Sequence, residues 1–228
     1  MKGVEFMKKG LILVVLAFLL VITGCTISIN LSGLDFKNDY ESINGLANKG
    51  GKLHRVVNID EENPFKQITT SELLEKIENK ETFYVYFGDK LCPWCRSVIE
   101  KAVEVAKKNN IDRIYYIAIW DDEGKEIVRD KYELKDGELT KTIEGCKEYP
   151  KFLEYFGELL SEYNLTDSDG NKVSTGERRI FAPNFIYVKD GQAQELITGI
   201  SDKQTDSREE LTEEILKDEE ELFEKFFK

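Results

Sequence analysis

The chain has 228 residues, with 44 Asp and Glu against 32 Lys and Arg, for a formal charge of −12 at pH 7. That sign is wrong for the phosphates of nucleic acid and for anionic lipid headgroups, so binding of nucleic acid, or of a membrane through a basic patch, is not expected. Four cysteines are too few for a disulfide scaffold, and a chain of this length can bury a hydrophobic core without one.

At the N-terminus, Lys8 and Lys9 precede an apolar run from Leu11 to Ile22, followed by Thr23-Gly24-Cys25. A short positive region, an apolar stretch and small residues read as a secretory signal, and the run is short for a membrane span. Met7 offers an alternative start with a tidier positive region. The ending Ile22-Thr23-Gly24-Cys25 resembles the bacterial lipobox. That resemblance implies a signal peptide over residues 1–24, cleaved before a lipidated Cys25. It also implies a protein held by lipid at the extracytoplasmic face of a bacterial cell membrane, where disulfides persist. From Cys25 to about residue 52 the sequence is polar and rich in Gly and Asn, as in "INGLANKGGK", which predicts a flexible tether. The folded domain is expected over residues 53–228.

Within that domain, Leu53–Ile59 is a β-branched run and predicts a first strand. Thr69 and Glu72 form a capping-box pattern that opens a helix through "SELLEKIENK". The run "TFYVYFG", Thr82–Gly88, is strongly β-prone. After Cys92-Pro93-Trp94-Cys95, apolar residues from Val98 to Ala106 recur at helical spacing. Arg113–Trp120 predicts a third, buried strand. This β-α-β-α-β order calls for a sheet with parallel neighbours, covered by helices. A long interval follows, about residues 121–180. It contains a turn at Lys135-Asp136-Gly137 and an amphipathic pattern from Tyr149 to Tyr163 that predicts one helix. Asp167, Asp169 and Asn171 in "TDSDGNK" superficially suggest calcium, but the bidentate Glu of a calcium loop does not follow, and turn chemistry is the simpler reading. Two β-prone runs then flank Lys189-Asp190-Gly191-Gln192, a hairpin signal. Leu211, Ile215, Leu216, Leu222, Phe223 and Phe226 form the stripe of a closing helix.

The chemistry concentrates at Cys92 and Cys95. A strand leads into the first cysteine and a helix begins at it. The unpaired N–H groups and partial positive charge of a helix start favour thiolate over thiol. Pro93 suits an early helical position, where its missing N–H is no loss. Spacing of two residues places the second sulfur one turn behind the first. Cys92 is therefore the expected nucleophile and Cys95 the resolving thiol.

This arrangement resembles the thioredoxin superfamily, from about Leu53 to the C-terminus, with residues 121–180 as an enlarged insert. The Cys-Pro-aromatic-Cys motif resembles the glutaredoxin subtype, and "YFGDKLCPWCRSVIE" is similar to the bacteriocin-transport accessory thioredoxins. The resemblance implies a thioredoxin-like α/β fold, a central mixed sheet flanked by helices, and a cis peptide at Ala182-Pro183 facing the dithiol. It further implies that Ala182 pairs with an extended substrate peptide and that Pro183 keeps metal ions from the dithiol. On the residues alone, Trp94 could offer an apolar surface to substrate beside the nucleophile or simply pack. The implied activity is thiol–disulfide exchange with protein substrates through a redox-active Cys92–Cys95 disulfide, without a cofactor, with a membrane redox protein as partner. One departure stands out. Many thioredoxins carry a buried acid on the strand before the motif, and Tyr86 occupies that position here.

Other readings remain open on the residues alone. The two cysteines could be half of a zinc site, for which Cys146 and the sole histidine, His54, are the remaining soft ligands. They could form a purely structural disulfide. Cys146 could be idle or regulatory, and Lys90 and Arg96 could bias Cys92 toward thiolate or simply be solvated. Arg178 and Arg179 could rim a substrate groove. In a different functional class, the chain could be a redox-inactive binding or assembly lipoprotein that uses the fold for interaction.

Overall fold

In a computed structural model, residues 31–135 and 137–228 are described, and residues Leu31–Lys228 form one compact unit. The signal peptide and Cys25 lie outside the described residues. The elements run α1 (Leu31–Glu41), β1 (Phe65–Gln67), α2 (Thr70–Glu78), β2 (Phe83–Gly88), α3 (Pro93–Lys108) and β3 (Ile114–Ala118). There follow β4 (Lys131–Lys135), β5 (Glu138–Ile143), α4 (Tyr149–Phe156), β6 (Ser161–Thr166), β7 (Lys172–Arg179), β8 (Asn184–Lys189), β9 (Gln192–Ile197) and α5 (Glu213–Phe226).

The central sheet has the order β1-β3-β2-β8-β9. Its first three strands are parallel and the last two antiparallel. A βαβ half joined in this order to a terminal hairpin and helix is a thioredoxin-like fold. Strand β2 is central and every one of its residues is buried. Alternation along it divides the core in two, because successive side chains leave a strand on opposite faces. Tyr84 and Tyr86 pack with Val98, Ile99, Ala102 and Phe223 on one face. Phe83, Val85 and Phe87 pack with Leu73, Ile77, Phe152 and Phe156 on the other. The capping box at Thr69 and Glu72 is present, with both reciprocal bonds made. The β8–β9 turn is as the sequence predicts, with Asp190 and Gly191 at positive φ.

Three expectations need correction. The tether does not extend to residue 52. Residues 31–41 are helical, and Phe36 and Tyr40 of α1 are buried in the core, so the domain begins at Leu31 rather than at 53. The Gly and Asn residues that suggested a spacer make turns instead: Gly45 and Gly51 have φ of 68° and 74°. An aromatic pair at i, i+4 outweighs that composition.

Leu53–Ile59 is not a strand. Only Leu53 bridges, to Ala47. The amide of Asn44 both donates to the Val57 carbonyl and accepts from its N–H, while carboxylates of Glu100 and Glu41 accept from the N–H groups of Asn58 and Ile59. Side chains thus take the place of a ladder partner, and the first strand is β1.

The helix predicted through Tyr163 stops at Phe156. After a turn, Ser161–Thr166 form β6, which pairs with β7 across the turn at Asp167. Tyr163-Asn164-Leu165-Thr166 is β-prone and has a partner strand close in sequence, which outweighs continued helical periodicity. Asp167 is a turn residue: its carboxylate accepts from the N–H groups of Asp169 and Asn171 at 2.9 and 2.8 Å. The insert is therefore two hairpins, β4–β5 and β6–β7, with α4 between them. On α5, Glu219 is wholly buried, and burial pushes its carboxyl up to about 8, against the charges of Lys101 and Arg55.

Candidate active site

Cys92 is the N-cap of α3. Its extended backbone, φ −76° and ψ 117°, directs the sulfur at the open end of the helix, where it accepts from the Cys95 N–H at 3.3 Å. Pro93 follows at the start of the helix. Cys92 is 4 % exposed and Cys95 is fully buried one turn behind it. Across from Cys92, the Ala182-Pro183 peptide is cis. The Cys92 thiol donates to the Ala182 carbonyl at 3.5 Å. The fold thus brings Cys92, Cys95, Ala182 and Pro183 together from residues far apart in sequence. Trp94 is half-buried and packs against the α3 face of the core beside them.

The two thiols are electrostatically unequal. Cys92 is held below an ordinary thiol by the hydrogen bond from Cys95, and by N–H groups of Cys95 and Trp94; burial and the Asp89 carboxylate oppose this. Burial pushes Cys95 well up, and the adjoining Cys92 sulfur adds to it; the Tyr86 hydroxyl and the Asp89 main chain pull the other way. A low first thiol and a high second one give a nucleophile that is ionised first and a partner that stays protonated until needed.

Four residues around the dithiol were not singled out, or not correctly, from sequence. Asp89 is 3 % exposed at the end of β2, and its carboxylate accepts from the N–H groups of Leu91 at 2.8 Å and Trp120 at 3.3 Å. Burial pushes it up to about 7, with the N–H groups opposing and Asp39 adding. It is a buried acid three residues beyond Tyr86, and its position between the strand and the motif was the available signal.

Tyr86 is fully buried and its hydroxyl lies 2.9 Å from that of Tyr40, on α1. Gly88 makes room for this phenol, since a Cβ there would sit 2.1 Å from the Tyr86 oxygen.

Arg96 is neither solvated nor ion-paired by a contact to a carboxylate. It is fully buried and donates to the carbonyls of Tyr40 and Arg55, each at 2.8 Å, to that of Lys90, and to Asn44 Oδ1. It clamps the segment after α1 against the motif. Lys90 instead holds Asp39 at 2.6 Å and Asp122 at 2.7 Å.

The other candidate residues lie elsewhere. Cys146 packs with the opposite face of the sheet and is half-buried. His54 is buried, and its Nδ1 has no hydrogen-bond partner. Among the described residues, no three or more His, Cys, Asp and Glu side chains gather as a metal ion would require. Arg179 is buried rather than at a groove rim: it pairs with Glu126 at 3.1 Å, and Glu126 also takes Arg129 at 2.6 Å. Arg129 donates to the Ile180 carbonyl at 3.0 Å. This network ties the insert to the backbone just before Ala182.

No family model matches the chain, and no curated protein matches it. Among solved structures, thioredoxin O2 from Arabidopsis thaliana in its oxidised state is similar at a TM-score of 0.32 and 13 % identity, covering 61 % of this chain and 85 % of that one.

Proposed function

We propose that the chain is a thiol–disulfide oxidoreductase acting on protein substrates, tethered by lipid on Cys25 at the extracytoplasmic face of a bacterial cell membrane. The observation that carries the chemistry is the Cys92 sulfur at a helix start, 3.5 Å from the carbonyl before a cis proline. A substrate strand laid along Ala182 would bring its disulfide to that sulfur, with Trp94 beside it.

In the reductive direction, Cys92 thiolate attacks one sulfur of the substrate disulfide. The Cys92–substrate bond forms and the other substrate sulfur leaves as thiolate. Cys95 then gives up its proton and attacks Cys92. The Cys92–Cys95 bond forms and the second substrate thiolate leaves. The substrate has gained two electrons, the chain's dithiol has lost two, and the leaving thiolates take protons according to the pH. Oxidation of a substrate dithiol is the reverse sequence. A membrane redox protein would reset the pair.

The anchor is carried by the sequence Ile22-Thr23-Gly24-Cys25. Cys25→Ala is expected to move the protein from the membrane fraction to the soluble one and to abolish incorporation of labelled palmitate. Retention in the membrane with no loss of label would sink the lipoprotein part of the proposal and leave the redox part standing.

A further inference from the structure

Glu126, Arg129 and Arg179 form a buried ionic cluster in the insert that the exchange chemistry does not use. One carboxylate, that of Glu126, takes two guanidiniums and an indole. Arg129 donates to both of its oxygens, at 2.8 and 2.6 Å, Arg179 donates at 3.1 Å and Trp120 Nε1 at 3.2 Å. Two of these donors have a second hold that leads to the dithiol. The Trp120 N–H donates to the Asp89 carboxylate at 3.3 Å, and the Asp89 carbonyl accepts the Cys92 N–H at 3.2 Å. Arg129 donates to the Ile180 carbonyl at 3.0 Å, two residues before Ala182. Two routes therefore run from one carboxylate to the Cys92 sulfur. One ends at the turn that carries it, the other at the segment whose Ala182 carbonyl it faces at 3.5 Å.

We propose that Glu126 is a positioning residue for protein substrates: it fixes residues 180–183 against the Cys92 turn, so that an extended substrate strand lies in register with the sulfur. This inference rests on the thiol–disulfide reading of the Cys92–Cys95 pair. Apolar side chains of similar volume would hold the insert as well or better, since burying charges costs stability even when they are paired. What apolar contact lacks is direction. A guanidinium donates in a fixed plane, so Arg129, oriented by its two bonds to Glu126, sets where the Ile180 carbonyl points. On the other side, Asn184 Oδ1 accepts the Phe181 N–H at 2.8 Å, and Asn184 Nδ2 donates to the Pro183 carbonyl at 3.0 Å. The main chain facing Cys92 is thus held at both ends. The insert gains a purpose, as the brace of the strand on which substrate docks.

A small disulfide needs only the sulfur, whereas a protein disulfide also needs the strand. The test therefore compares two rates for the full reduced chain with Cys146→Ser, one with insulin and one with dithiobis-nitrobenzoate. Glu126→Gln is expected to lower the ratio of the insulin rate to the small-disulfide rate by about ten- to a hundredfold, the scale of a misplacement near 1 Å. Arg129→Lys keeps the charge but loses the fork, and should lower the ratio in the same direction. Tyr132→Phe is the control. It removes a 2.6 Å bond to Glu177 within the insert and leaves Glu126 untouched, so the ratio should stay at the parent value.

An unchanged ratio in Glu126→Gln and Arg129→Lys would overturn the proposal, as would an equal fall in Tyr132→Phe. If Glu126→Gln does not fold, Arg129→Lys decides alone. If the parent reacts with dithiobis-nitrobenzoate but not with insulin, the proposed function fails, and hydrogen exchange then tests the brace by itself. The amides of Phe181, Ala182 and Asn184 should exchange at least tenfold faster in the folded variant than in the parent. Equal exchange there would overturn the positioning role.

Discussion

Replacing Cys92 by Ser is expected to reduce exchange with a protein disulfide to the uncatalysed rate, whereas Cys95→Ser should retain the first chemical step and arrest the second. The difference follows from position. Cys92 sits at the end of α3, where its sulfur accepts a main-chain N–H, and it is held below an ordinary thiol. An unperturbed thiol is only about 3 % thiolate at pH 7, so most of the advantage of the site lies in that one sulfur. Cys95 is fully buried and pushed well up. In the proposed mechanism it meets substrate only through Cys92. Cys95→Ser should therefore accumulate a covalent adduct with substrate that survives denaturing electrophoresis and disappears on reduction. Equal activity in Cys92→Ser and the parent, or adduct formation through Cys146, would contradict the assignment.

Arg96→Met is expected to cost at least about 3 kcal/mol of stability, because it strips donors from several inward-facing oxygens at once. The carbonyls of Tyr40, Arg55 and Lys90 and the side-chain oxygen of Asn44 all accept from this guanidinium. Methionine fills much of the volume but donates nothing. For a domain of this size, the loss corresponds to a fall of roughly 6–12 °C in the thermal midpoint. Arg96→Lys should recover little of it, since an ammonium cannot reproduce the planar fork. A midpoint within 2 °C of the parent would show that segment 40–55 does not depend on Arg96, an outcome judged against the ~1 kcal/mol scale of ordinary substitutions.

The parts of the fold legible in the sequence were those where a local rule coincided with the tertiary one. "TFYVYFG" is buried on both faces, so its apolar density reads as a central strand. Thr69 and Glu72 make their own cap. Lys189-Asp190-Gly191-Gln192 makes its own turn. The helix start at Cys92-Pro93 was legible because proline suits the first helical position.

What escaped was decided by partners distant in sequence. Leu53–Ile59 looks like a strand, but its N–H groups are taken by Asn44, Glu41 and Glu100. Residues 31–41 look like tether until Phe36 stacks on Phe65 at 4.5 Å and Tyr40 meets Tyr86. Tyr149–Tyr163 follows a helical period, yet Ser161 and Glu162 near its end pair with the strand Lys172–Arg179. At the site, the sequence position of Tyr86 marked a missing acid. Only the fold shows Asp89 buried at the end of β2, its carbonyl accepting from the Cys92 N–H, and Arg96 turned inward, away from water.

The most direct test of a redox-active Cys92–Cys95 pair is its reduction potential, measured on the full chain with Cys146→Ser in a thiol buffer of graded composition. The predicted result is a reversible two-electron transition between about −270 and about −120 mV, the span of thioredoxin-type oxidoreductases from reductants to oxidants. A pair that fails to cycle, or one that stays oxidised below about −300 mV as structural disulfides do, would contradict the proposed chemistry.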